Sequence, residues 1–112
     1  MNMLNSIILE GVVTSGLSEN PCGKDFDITV SRYYKNAEGD RVEEKSDFCI
    51  ELYGNLAERD IIMNKIYFDR SLEIVGRGVR VVGRLKQKRW TDEEGKEHSK
   101  VVVIAEHIEF KS

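Results

Sequence analysis

The sequence predicts an all-β fold, a small five-stranded barrel with one helix between its third and fourth strands. Three observations carry this. Apolar residues recur with a period of two through most of the chain, which is the signature of half-buried strands. Turn-forming residues punctuate those runs at short intervals. The chain has 112 residues, which is single-domain length, so residues 1–112 are expected to form one domain.

The first strand is read from Ile7, Leu9, Gly11 and Val13, alternating with Ile8, Glu10 and Val12. Thr14 to Lys24 holds Ser15, Gly16, Ser18, Asn20, the only proline (Pro21) and Gly23, so a loop is expected there. Phe26, Ile28 and Val30 alternate with Asp27, Thr29 and Ser31 in a second strand that continues into Arg32-Tyr33-Tyr34-Lys35. Asn36-Ala37-Glu38-Gly39-Asp40 is a polar turn with a glycine for positive φ. The chain returns through the polar stretch Arg41–Ser46 to Phe48, Ile50 and Leu52, with Cys49, Glu51 and Tyr53 on the other side. The hairpin between the second and third strands is long, and its outer part is too polar to bury, so it is expected to project as an arm.

Gly54 ends the third strand. Asn55 and Glu58 have capping-box spacing, and Leu56, Ala57, Ile61, Ile62, Lys65, Ile66 and Phe68 follow helical spacing, which predicts a helix from residue 56 into the late 60s. Val79, Val81, Gly83 and Leu85 form the core side of a fourth strand. Trp90 to Lys96 is the next hairpin turn. Val101, Val103 and Ala105 against Val102, Ile104 and Glu106 form the fifth strand. Three strands, a helix and two strands match the oligonucleotide-binding (OB) barrel, with the helix plugging one end.

Composition excludes other classes. With 17 basic and 20 acidic residues the net charge is −3, and charges are mixed along a chain that is 40% hydrophobic, so it is not a disordered tail. No apolar run reaches the roughly 18 residues of a membrane span. Met1-Asn2-Met3-Leu4-Asn5 offers no basic n-region before an apolar stretch, so no signal peptide is expected. Cys22 and Cys49 are too few for a disulfide framework and read as reduced thiols in the cytoplasm. No metal site is expected from these two cysteines with His98 and His107, which lack any close ligand pair. Gly76-Arg77-Gly78 followed by Gly83 matches no dinucleotide or phosphate loop. No motif places a nucleophile beside a histidine. The expectation is therefore a non-enzymatic protein with no cofactor.

One feature carries chemistry. From Arg77 to Trp90 every charged residue is basic: Arg77, Arg80, Arg84, Lys86, Lys88 and Arg89. Alternation sorts Arg80, Val82, Arg84, Lys86, Lys88 and Trp90 onto the face opposite the core, with neighbours about 6.6 Å apart. That is close to the phosphate spacing of an extended single strand. Arg32 and Lys35 flank two tyrosines where the arm leaves the barrel. Cations for phosphates beside flat rings for bases are what sequence-independent single-strand binding requires. The same pattern also suits a solvated edge that resists aggregation. Tyr34 and Phe48 share the phase of core residues, so they suit either a stacking or a packing role.

Several segments, in order, resemble the DNA-binding domain of bacterial single-stranded DNA-binding proteins. They are Leu4-Asn5-Ser6-Ile7-Ile8-Leu9-Glu10-Gly11, Phe26–Ser31 with Tyr34-Lys35 and Gly39, Asp47-Phe48 with Leu52–Glu58, Val79–Leu85 with Lys88–Gly95, and Ala105-Glu106-His107-Ile108. Gly83-Arg84-Leu85 followed by Arg89-Trp90-Thr91-Asp92 and Gly95 is the sharpest part. The resemblance implies an OB fold, a homotetramer and wrapping of single-stranded DNA in replication, recombination and repair, in the bacterial cytoplasm and nucleoid. It implies stacking of bases on Trp90, Tyr34, Phe48 and Tyr53, although at Tyr34 and Phe48 the family often has tryptophan. Phosphates would be neutralised by Arg32, Lys35, Arg80, Arg84, Lys86 and Lys88.

There are departures. Glu58 to Gly76 looks longer than in the family, and the third strand about one residue shorter between Phe48 and Gly54. The family usually continues into a flexible linker and an acidic, partner-recruiting tail, whereas this sequence stops at Ser112, so either a trimmed domain or a protein without that recruitment is expected. Two alternatives stay open. One is a tailless accessory protein of replication restart, similar to primosomal replication protein N. The other is an OB module for protein assembly with no nucleic-acid role.

Overall fold

The computed structural model describes residues 1–16, 18–20, 23–53 and 74–111. Its strands are β1 (Ile7–Val13), β2 (Ser18–Asn20), β3 (Gly23–Lys35), β4 (Arg41–Tyr53), β5 (Gly78–Thr91) and β6 (Glu97–Phe110). They form one sheet in the order β1-β5-β6-β4-β3-β2. A further β1–β3 pairing, Val12 with Thr29 and Val13 with Ile28, closes five of the strands into a barrel. All pairs are antiparallel except β4–β6, where Ile50 lies beside Val103 and Glu51 beside Ile104. This is the five-stranded OB barrel that the alternation predicts.

The core is what alternation selects: Val13, Phe26, Ile28, Ile50, Leu52, Val79, Val81 and Val103 are all at most 1% exposed. On β6 the core phase switches. Val103 and Ala105 point inward, and so do Ile108 and Phe110. The switch comes from a bulge: Val82 pairs with His107 and Gly83 with Ala105, leaving Glu106 unpaired. A side chain at Gly83 would fall against the Ile104 carbonyl oxygen, so the bulge requires a glycine there.

Two sequence expectations change. The expected loop from Thr14 to Lys24 contains β2, which pairs with the start of β3. Three residues are too few to display a period. Leu85, in phase with the core, is 42% exposed, because β1 ends at Ile7 opposite Gly83 and β5 continues past it. The Asn5 side chain takes the place of a strand there, bonding both the N–H and the carbonyl of Leu85. Consequently β5–β6 projects as a second arm beside the expected β3–β4 arm. The helix predicted from residue 56, and Gly54 itself, lie outside the described residues. No helix among the described residues is long and apolar enough to cross a membrane.

Candidate nucleic-acid interface

The β5–β6 hairpin is built by its turn. Asp92 accepts from the Glu94 and Lys96 N–H groups at 2.9 and 2.8 Å, and Gly95, at φ 81°, closes the loop. This fixes the register, so Trp90 faces His98, Lys88 faces Lys100, Lys86 faces Val102 and Arg84 faces Ile104. Directly paired residues share a face. The cations of β5 therefore join Lys100 and His98 of β6 on the outward face. Through the β4–β6 pairing the same face continues to Glu51, and by alternation to Cys49 and Tyr53.

Trp90 is 48% exposed, and its indole stacks on the His98 ring with centroids 5.5 Å apart and planes at 20°. His98 Nε2 in turn lies 2.7 Å from Asp92 Oδ2. That hydrogen bond, with the two backbone N–H donors, holds the Asp92 carboxyl below its ordinary pKa. Trp90 is thus braced on one side and open on the other. The hairpin tip carries a concavity of about 460 Å³ lined by Gln87, Arg89, Trp90, Thr91, Glu97, His98 and Ser99.

The expected phosphate-binding residues divide into groups. Arg84 and Lys86 are exposed and have no ion pair among the described residues. Lys88 is paired with Glu51, which also accepts from the Tyr53 hydroxyl. Arg80 is held by Glu10 at 2.7 Å, and Lys111 bonds the other oxygen of Glu10 at 2.9 Å. Lys111 and Arg80 lower the Glu10 pKa, and Glu10 raises that of Arg80. This cluster lies over β1, six residues from Lys86 along β5, or about 20 Å.

On β3–β4 the register runs without irregularity from Gly23–Tyr53 to Lys35–Arg41. Phe48 pairs with Ile28 and packs against the core, on the face opposite Tyr53. Tyr34 pairs with Val42 and Arg32 with Glu44, both in the phase of Phe48, although beyond the barrel both are exposed. Lys35 and Tyr33 share the phase of Tyr53. The structure therefore brings Arg84, Lys86, Lys88, Trp90 and Tyr53 onto one continuous face. Lys35 has its phase, Arg80 lies at its far end, and Arg32, Tyr34 and Phe48 are on the other side of the sheet.

Three outward residues complete the face and were not assigned to it from the sequence: Tyr33, His98 and Lys100. Tyr33 is 53% exposed, with the Arg41 guanidinium 4.3 Å from its ring centre. His98 and Lys100 could have been found by counting back from the Gly95 turn. Cys49, on the same face, has its thiol pKa pushed up by burial, against the opposing influence of Lys100.

The single-strand binding protein family model matches residues 4–111. The single-stranded DNA-binding protein of Aquifex aeolicus is 34% identical over 112 residues, covering 95% of this chain and 69% of that protein. Among solved structures, the Plasmodium falciparum SSB in complex with ssDNA superposes with a TM-score of 0.76 at 19% identity, covering 100% of this chain and 98% of that one. A deletion mutant of the Thermus aquaticus single-stranded DNA-binding protein gives 0.70 at 24% identity, with 97% and 51% covered. The small single-stranded DNA-binding protein of Streptomyces coelicolor gives 0.62 at 21%, with 99% and 96% covered. The structural likenesses establish the OB barrel, and the match over nearly the whole chain, with the Aquifex relative, establishes that the chain belongs to the single-strand binding protein family.

Proposed function

We propose that this protein binds single-stranded DNA without sequence preference and without catalysis, through the outward face of β5–β6 and its continuation onto β4. The observation that carries this is the line of Arg84, Lys86 and the open side of Trp90 on one face, with Lys100 opposite. Stacking on Trp90 supplies sequence-tolerant affinity, because every base has a π face. Arg84, Lys86 and Lys100 supply phosphate neutralisation. Tyr53, and Tyr33 on the arm, are the further rings in phase with Trp90. Phe48 serves packing in this reading, and Tyr34 and Arg32 have lesser roles.

Residues 1–112 act as a single binding domain, working as a homotetramer in replication, recombination and repair, in the cytoplasm at the nucleoid. Self-association is supported by Ile8 and Val12, which are 67% and 47% exposed on the outer side of β1. Sizing with light scattering tests it, and a monomer mass contradicts it.

The test of binding is titration with oligo-dT at two salt concentrations, following the fluorescence of the sole tryptophan, Trp90. Quenching that weakens as salt rises is expected, since bound phosphates release counterions. An unchanged signal at low salt overturns the reading.

A further inference from the structure

Glu51 is an anion buried on a face proposed to receive a polyanion. Its side chain is 5% exposed, and both oxygens are engaged, Oε2 by the Lys88 ammonium and Oε1 by the Tyr53 hydroxyl. Lys88 stands on β5 and Glu51 on β4, with β6 between them, so the lysine side chain spans β6. Outward residues of β6 there, Val102 and Ile104, are 1% and 5% exposed and form an apolar floor. Burial alone would raise the Glu51 pKa. The hydrogen bonds from Lys88 and Tyr53 outweigh it and leave the carboxyl below its ordinary value. The same contact raises the pKa of Lys88.

We propose that Glu51 is a positioning residue of the DNA interface, an internal counter-ion that keeps Lys88 and the Tyr53 ring on the floor of the face while Arg84, Lys86 and Lys100 meet the DNA backbone. A phosphate that drew Lys88 away would leave a buried carboxylate unpaired. That costs more than an exposed ammonium–phosphate contact returns. Lys88 therefore belongs to the basic row in sequence and not in function. The strand's phosphates follow the β5–β6 side of the face, and the Tyr53 ring is presented in one fixed orientation beside them.

This rests on the single-stranded DNA reading, so the test has one arm with DNA and one without. In the first, the salt dependence of oligo-dT affinity is measured for the wild type, Lys86→Ala, Lys88→Met and Glu51→Gln. Each phosphate contact contributes about 0.7 to the slope of log affinity against log salt. Lys86→Ala should reduce the slope by about 0.7, and Lys88→Met should leave it unchanged. Glu51→Gln keeps an acceptor for Tyr53 and frees Lys88, so the slope should steepen by about 0.7. Equal losses for Lys86→Ala and Lys88→Met overturn the proposal, as does an unchanged slope in Glu51→Gln. In the second arm, carbon NMR of the Glu51 carboxyl in the DNA-free protein should give a titration midpoint below the ordinary glutamate value. That midpoint should move upward in Lys88→Met, and an unmoved midpoint overturns the pairing. If the wild type binds no oligo-dT, the functional reading fails while the NMR arm still judges the pair.

Discussion

The β3–β4 and β5–β6 hairpins are near copies in construction and opposites in charge. Each is a pair of strands of 13 or 14 residues that outruns the barrel. Each is closed by the same five-residue turn. Asn36 accepts from Glu38 and Asp40 N–H through its side chain, as Asp92 does from Glu94 and Lys96, with a left-handed glycine fourth in each turn. Yet outward β3–β4 positions near the barrel carry Asp25, Asp27, Asp47 and Glu51, while those of β5–β6 beyond the bulge carry Arg84, Lys86, Lys88 and Lys100 and no carboxylate. Backbone chemistry makes a hairpin. The outward phase decides which hairpin suits a polyanion, and the net charge of −3 averages that distinction away.

The largest difference between the two lies at the root. β3–β4 leaves the barrel in unbroken register, whereas β5–β6 passes through the bulge at Glu106, where β6 lies directly against Gly83. Gly83→Ala should cost about 3 kcal/mol of folding free energy, because a rigid backbone carbonyl, not a flexible side chain, must give way. A urea midpoint lowered at unchanged slope is expected. Unaltered stability would mean that the second arm is not rooted by this contact.

Next in size is the contrast between rings. Trp90→Ala should weaken oligo-dT binding by about 1–3 kcal/mol, roughly 5- to 150-fold. Tyr34→Ala, on the other side of the sheet, should change it by less than about threefold, under 1 kcal/mol. Equal losses measured by competition against a labelled oligonucleotide would erase the distinction between the faces.

How much of this was legible varies with the range of the interaction involved. Strand alternation and both polar turns are local, and they placed the barrel, the core and the outward row from Arg84 to Trp90. Phe48 and Tyr34 display in sequence the phase of Ile50 and Val30, which is the phase the structure gives them. Tyr33 differs from Tyr34 only by the parity that moves it to Trp90's side. What the sequence hides is pairing at a distance. Arg80 meets a glutamate 70 residues earlier, and Lys88 meets one on a strand that is not its hairpin neighbour. Both look like free cations when β5 is read alone. The bulge is hidden for the same reason, since β6 keeps apolar residues on both phases until Ala105.

The smallest expected effect separates the twin turns by acidity. Asn36 has no titrating group, while Asp92 bonds His98 and two backbone N–H groups as a carboxylate, and its pKa in the folded protein is depressed. A depressed carboxyl contributes stability that is present above its unfolded pKa, about 3.9, and is lost as pH falls through the lower folded value. Acidification below about pH 4 should therefore loosen the Trp90 hairpin and spare the Asn36 turn. Hydrogen exchange of the Gly95 and Gly39 amides, each bonded to the carbonyl of its turn's first residue, reads the two directly. Gly95 should lose protection first, and Asp92→Asn, which copies the other turn, should remove the difference. Equal loss at both glycines would show that acid acts on the barrel as a whole, and the carboxylate would then have no special part in bracing the indole.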